Sequence, residues 1–186
     1  MKIIAVNIGD RKEVRWKGKL IRTGIFKYAV EHPIFLDVET VKDDVVCDRN
    51  HHGGVDQAVY AYSLKHYHYW KQIYLDADWQ YGMFGENLTI DDLDETRIHV
   101  GDTFKVGESI LEVTKPRLPC VKLGLRFDDV KIIKQFWKCS FSGVYFKVVK
   151  TGFVCSGDVF EQTKWCKESP TIAELYQEER IRKGVN

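Results

Sequence analysis

The sequence has little from which to build a disulfide framework, a metal cage or a membrane span. Its five cysteines lie at 47, 120, 139, 155 and 166, an odd number with no C-x-x-C spacing. That pattern argues against paired disulfides and a structural zinc site, and leaves reduced thiols as the expectation. No stretch approaches the roughly 20 apolar residues that cross a bilayer. The opening run Met1-Lys2-Ile3-Ile4-Ala5-Val6-Asn7 is too short for a signal peptide, so the chain reads as cytoplasmic. Bulk charge is also missing: 28 Lys and Arg stand against 27 Asp and Glu. Nothing in that balance favours nucleic acid or an anionic membrane as a partner. Repeats, low-complexity tracts and long linkers are absent, as are a Walker loop and the G-x-G-x-x-G dinucleotide fingerprint. At 186 residues, one compact domain with a small appendage is expected.

What is present is mostly period two. Lys2 to Ile8, Leu20 to Lys27, Ile34 to Val38, Gln57 to Tyr62, Thr103 to Val106, Ile110 to Thr114, Val144 to Val149 and Val154 to Phe160 are short runs rich in Val, Ile, Phe and Tyr. They predict a β-rich core. Leu111 and Val113 share one face of their strand, and Val106-Gly107-Glu108-Ser109 is a hairpin turn back to the preceding one. Three segments break the period. Ser63 to Tyr74 starts on an N-cap candidate and places Tyr67, Trp70 and Tyr74 on one helical face. Phe127 to Lys138 presents Val130, Ile133, Phe136 and Trp137 as a stripe. Thr171 to Arg182 follows Ser169-Pro170 and carries Ile172, Leu175 and Tyr176 as a C-terminal helix. The stretch 76–85 reads as the longest loop, and its Trp79, Tyr81, Met83 and Phe84 are too apolar for a solvated one. It is expected to fold over something.

Prolines are scarce, four in all, and two of them bracket a cysteine in Lys115-Pro116-Arg117-Leu118-Pro119-Cys120-Val121-Lys122-Leu123. Pro116 and Pro119 fix φ and remove two backbone donors, so the segment neither continues a central strand nor enters a helix interior. Arg117 and Lys122, with Lys115 close by, would favour the thiolate of Cys120 if their heads lie near the sulfur. The same cysteine also suits a plain buried apolar position. A second constellation, His51-His52-Gly53-Gly54-Val55-Asp56, has adjacent glycines that would let N–H groups converge on an anion. Taken alone it better fits a tight turn with one histidine hydrogen-bonded to the backbone. The third, Gly82-Met83-Phe84-Gly85-Glu86-Asn87, delivers a carboxylate and an amide to the start of a strand. Asn87 suits orienting a polar ligand, and Glu86 suits an acid, a base or a partner for Arg117, or simply a solvated strand end.

In this order, His52-Gly53-Gly54-x-Asp56-x-Ala58-Val59-Tyr60, Phe84-Gly85-Glu86-Asn87-Leu88 and Pro116-Arg117-x-Pro119-Cys120-x-Lys122-Leu123 resemble the MOSC domain, named for the molybdenum cofactor sulfurase C-terminal domain. The resemblance extends over nearly the whole chain. It is greatest to stand-alone bacterial members that reduce N-hydroxylated bases. Arg22 to Lys27 resembles the family's early cofactor-side strand, although Tyr28-Ala29 replaces the expected Lys-Pro. Ser142 to Tyr145 and Gly152 through Asp158 match the closing strands. The resemblance implies a mainly β, MOSC-type barrel with peripheral helices over residues 1–168, and a short C-terminal helical appendage over 169–186.

It also implies a chemistry. Cys120 takes the place of the cysteine that ligates molybdenum, the pterin dithiolene supplying two more sulfurs, and a soft thiolate suits such a metal. Lys27, Arg117 and the His52-Gly53-Gly54 turn would line the pterin phosphate, with Asp56 and Lys122 in the same motifs and Asn87 and Glu86 near metal and substrate. The implied activity is a two-electron reduction of small N-hydroxylated compounds. No flavin or haem site is evident in the sequence, so a separate flavoprotein or iron–sulfur reductase would supply the electrons. The alternative is a non-catalytic carrier of cofactor or sulfur on the same cysteine. Cys47, Cys139, Cys155 and Cys166 match no motif and read as bystanders.

Overall fold

The computed structural model describes residues 1–47 and 53–185. In chain order its strands are β1 (Ile3–Gly9), β2 (Lys12–Trp16), β3 (Lys19–Thr23), β4 (Lys27–Val30), β5 (Ile34–Leu36), β6 (Val59–Ser63), β7 (Leu88–Ile90), β8 (Thr103–Val106), β9 (Ser109–Pro116), β10 (Val144–Lys150), β11 (Gly152–Val154) and β12 (Glu161–Lys164). Its helices are α1 (Leu64–Ile73), α2 (Val121–Phe127), α3 (Lys131–Lys138) and α4 (Ile172–Arg182). Among the described residues, no helix is long and apolar enough to cross a membrane.

The fold is mainly β with peripheral helices. Eight strands form one mixed sheet in the order β12-β8-β9-β10-β6-β7-β1-β4, antiparallel throughout except where β6 runs parallel to β7. No continuous ladder joins β12 to β4 among the described residues. The sheet nevertheless returns on itself. Ile3 N donates to Asp158 O, Gly157 N to Ile3 O and Phe160 N to Met1 O, each at 2.9 Å, and Lys2 bridges Val159. The residues leading into β12 are thus tied to the start of β1. Hence the expected strand from Val154 to Phe160 stops at Val154 (β11, paired with β5), and the rest is irregular backbone committed to that tie.

Strand β6 divides the interior. All five of its residues are buried. Because side chains alternate along a strand, Val59 and Ala61 enter a predominantly aliphatic core, while Tyr60 and Tyr62 enter a predominantly aromatic one. The aliphatic core fills the sheet's interior with Ile3, Leu36, Leu88, Leu111, Val113, Val144 and Phe146. The aromatic core unites Tyr67 and Trp70 of α1, Phe84, Leu123 of α2, Ile132 and Phe136 of α3, and Tyr176 of α4. The apolar stretch 76–85 folds over this second core. Phe84 is fully buried, and Trp79 packs edge-on to Tyr67 and Phe127 while donating to Tyr74 O.

Local chemistry explains several departures from the sequence pattern. Ser63 stands at the N-cap of α1, but its hydroxyl accepts from Leu93 N (3.2 Å) rather than capping the helix. The helix expected from Phe127 to Lys138 begins only at Lys131, as α3, because Asp128 adopts the left-handed region (φ 50°) and closes the preceding helix α2 at Phe127. On α3 the buried residues are Ile132 and Phe136, whereas Val130 precedes the helix and is exposed. Helix α4 begins with a reciprocal capping box between Thr171 and Glu174.

Candidate functional site

The three motifs meet in a cleft that encloses about 690 Å³, open solvent included. Its floor is the aromatic face of β6 and β10, through Tyr60 and Tyr145. Two loops close one side, residues 23–25 after β3 and 44–47 after β5. They touch because residue 24 is glycine: a Cβ there would fall 1.8 Å from Val45 O.

Cys120 reaches the cavity by the route its prolines impose. Strand β9 ends at Pro116, still paired with Val144, and the chain turns out of the sheet to place Cys120 at the N-cap of α2 with extended backbone. The sequence reading placed this cysteine on a stiff bend and did not foresee the short helix that follows. Arg117, between the two prolines, is 5 % exposed and lines the same cavity. Its guanidinium lies 5.7 Å from the Tyr60 ring centroid and 5.2 Å from that of Phe136. Its Nη1 has no hydrogen-bond partner. Among the described residues no carboxylate pairs with it. Burial works against the charge, but Tyr60, Cys120 and Tyr145 outweigh it, so Arg117 holds its proton more firmly than an ordinary arginine. Burial also pushes the Tyr60 and Tyr145 hydroxyls up, partly opposed by Arg117, and both remain neutral phenols.

Lys27 lines the cavity but is committed. Its ammonium is paired with Asp44, the two side chains being only 8 % and 3 % exposed. Asp44 also accepts from Gly9 N (2.8 Å) and from Asn87 Nδ2 (3.0 Å). Asn87 in turn accepts from Tyr60 N (3.3 Å) through its side-chain oxygen. These residues therefore fix β1, β4, β6 and the 44–47 loop to one another. Asp44, which no motif marked, is their hub.

Glu86 requires a correction. It was expected at the rim beside metal and substrate, yet it is fully buried and is not part of the cavity wall. Its carboxylate accepts from Tyr67 OH, Gly82 N (3.0 Å), Phe84 N (3.0 Å) and Thr89 Oγ1 (2.9 Å), so it organises its own loop. Burial raises its pKa, and those donors oppose the rise. Asp56 is likewise outside the wall: it sits exposed in a short 3-10 turn, Val55–Gln57, with its carbonyl accepting from Thr114 Oγ1. Gly54 is exposed and also off the wall, whereas Gly53 lines it. His52 lies outside the described residues. Lys27, Gly53, Asn87, Arg117, Cys120 and Lys122 are brought together as expected. The sequence reading missed Asp44, Gln57, Tyr60 and Tyr145, and it set aside Cys47, which also lines the cavity.

A family model described as MOSC domain matches residues 48–161. The chain belongs to the MOSC domain family. Among its MOSC relatives, YflK of Bacillus subtilis is 34 % identical over 155 residues, covering 83 % of this chain and 70 % of YflK. A Gibberella moniliformis protein designated a reductase is 33 % identical over 159 residues, covering 84 % of this chain but only 28 % of the fungal protein. The crystal structure of YiiM from Geobacillus stearothermophilus superposes with a TM-score of 0.80 at 26 % identity, covering 98 % of this chain and 85 % of that one.

The MOSC family is associated with molybdenum cofactor, and the residues present fit that group. A pterin cofactor bears a phosphate and presents sulfur-coordinated metal. The cavity offers a thiol for a soft metal and a buried guanidinium whose Nη1 lacks a partner for an oxyanion.

Proposed function

We propose that this protein holds molybdenum cofactor in the cavity, with the Cys120 thiolate on the metal, and reduces small N-hydroxylated compounds such as hydroxylamino purines and amidoximes. The observation that carries this reading is Arg117. An unpaired buried cation costs several kcal/mol, and one placed in the same cavity as a thiol is accounted for by an anionic ligand that needs both. The Gibberella relative's designation as a reductase supports the reaction class.

Arg117 would take the cofactor phosphate. The Lys27–Asp44–Asn87 network would hold the surrounding loops at fixed distance, so that little reorganisation accompanies binding. Lys122, on the first turn of α2, adds positive charge to the wall. Tyr145, neutral and beside Arg117, would orient a ligand as a hydrogen-bond donor rather than ionise. When bound, the cofactor would supply two electrons which, with two protons, convert an N–OH group to N–H and water. A separate flavoprotein or iron–sulfur reductase would return those electrons.

The test is elemental analysis of protein made in a host competent for molybdenum cofactor synthesis, together with turnover of a hydroxylamino purine under a chemical reductant. Wild type is expected to carry molybdenum and turn over. Cys120→Ala should stay folded and lose the metal, while Cys155→Ala and Cys166→Ala keep it. Equal molybdenum in Cys120→Ala and wild type would sink the assignment. Loaded protein that turns over nothing but passes cofactor to an apo-enzyme would be a carrier instead.

A further inference from the structure

Cys120, Gln57 and Tyr145 belong to two cavities at once. The second is a space of about 870 Å³, open solvent included, between the segment 115–120 and helix α4. Its walls differ in kind from those of the first. Pro116, Leu118, Pro119 and Leu175 make it largely apolar, and α4 adds the carboxylates of Glu178 and Glu179. The Glu179 carboxylate is bonded to Arg182, with Nε at 3.2 Å. The side chain of Glu178 is exposed and, among the described residues, makes no hydrogen bond or ion pair; the side chain of half-buried Lys115 is in the same position at the other wall.

We infer that this second cavity is the substrate's seat, and that Glu178 on the C-terminal helix selects for it. The inference rests on the proposed reduction for the identity of the reaction, but the cavity assignment stands on geometry and charge. A phosphate-bearing group is drawn to the first cavity by Arg117, whereas beside α4 in the second it would meet the unpartnered carboxylate of Glu178. What the second suits is a flat, uncharged or cationic heterocycle. Its faces would lie against proline, leucine and Tyr145, an amino edge would donate to Glu178, and an acceptor would face Lys115. A hydroxylated amidine carries both kinds of group. Seated there, it would present its N–OH toward the residue common to both cavities, Cys120. Helix α4 is then part of the site.

The experiment measures binding of 6-hydroxylaminopurine to the full chain by titration calorimetry, with molybdenum content determined on the same samples. Glu178→Gln should weaken binding about tenfold, the size of one charge-assisted hydrogen bond, without changing metal content. Leu175→Trp, which fills the cavity, should abolish saturable binding and leave molybdenum in place. The 5′-monophosphate of the corresponding ribonucleoside should bind more weakly than the base. Failure of the wild type to bind the base, wild-type affinity in both variants, or equal affinity for the monophosphate would each overturn the assignment. Binding that Leu175→Trp blocks, in protein that carries no molybdenum, would support the cavity assignment and remove the cofactor reading instead.

Discussion

Arg117 is a residue whose placement makes more sense for binding than for folding. Its charge is buried among aromatic rings with no carboxylate opposite it among the described residues. Replacing buried ionic groups by apolar side chains of similar volume is often neutral or stabilising, by up to about 4 kcal/mol. Arg117→Met should therefore make the cofactor-free protein more resistant to denaturant while lowering molybdenum retention. A loss of stability in urea titration would show that the aromatic neighbours and Tyr145 hold the guanidinium for the fold's own sake. Arg117 and Cys120 were legible because prolines beside them mark the site within a few residues. Asp44 was not, since its partners Gly9, Lys27 and Asn87 lie 35, 17 and 43 residues away. Glu86 was misread for another reason. A carboxylate after a Gly-x-x-Gly turn has the same sequence signature whether it faces a ligand or turns back to the N–H groups of that turn, as it does here.

The loop 76–85 positions the site's edge through one close approach. Gly82 has φ +82°, and a Cβ there would lie 2.9 Å from the backbone of Lys27, the first residue of β4. Gly82→Ala combines a strained conformation with displaced main chain, so it should cost about 2 kcal/mol or more and disturb the Lys27–Asp44 pair. Thermal unfolding checks the first effect. Molybdenum loading checks the second, and unaltered values for both would mean that the loop yields freely. Strands β8, β9 and β10 were legible because their apolar residues alternate between interior and surface. The β2–β3 hairpin was only half seen. Its turn residues Lys17 and Gly18 both have positive φ, but Lys-Gly lacks the Asn-Gly or Asp-Gly signature of such turns, and most of its side chains are exposed on both strands. Helix α2, seven residues long, is too short for periodicity to reveal.

For the whole molecule, the aromatic core makes alkali the vulnerable direction. Burial pushes the Cys139 thiol up to about 11 from an ordinary 9.0. Between those values the unfolded chain releases a proton that the folded chain keeps, so stability falls as pH rises. Tyr60, Tyr62 and Tyr67, also raised by burial, act in the same sense above pH about 10. Urea midpoints should drop from pH 9 upward, and Cys139→Ala should flatten the first part of that slope. Midpoints unchanged between pH 8 and 10 would rule this out. The mainly β class and its peripheral helices were readable in the chain, because alternation and helical stripes are local. The tie between residues 1–3 and 157–160 was not, because it joins distant irregular backbone. That tie sets how the molecule would yield to force. Lys2 and Val159 face each other antiparallel, with Met1 beside Phe160. A pull on residue 1 against the chain beyond residue 160 thus loads these bonds in succession rather than together. An unfolding motor gripping that end would open the sheet like a zipper, before either interior had resisted.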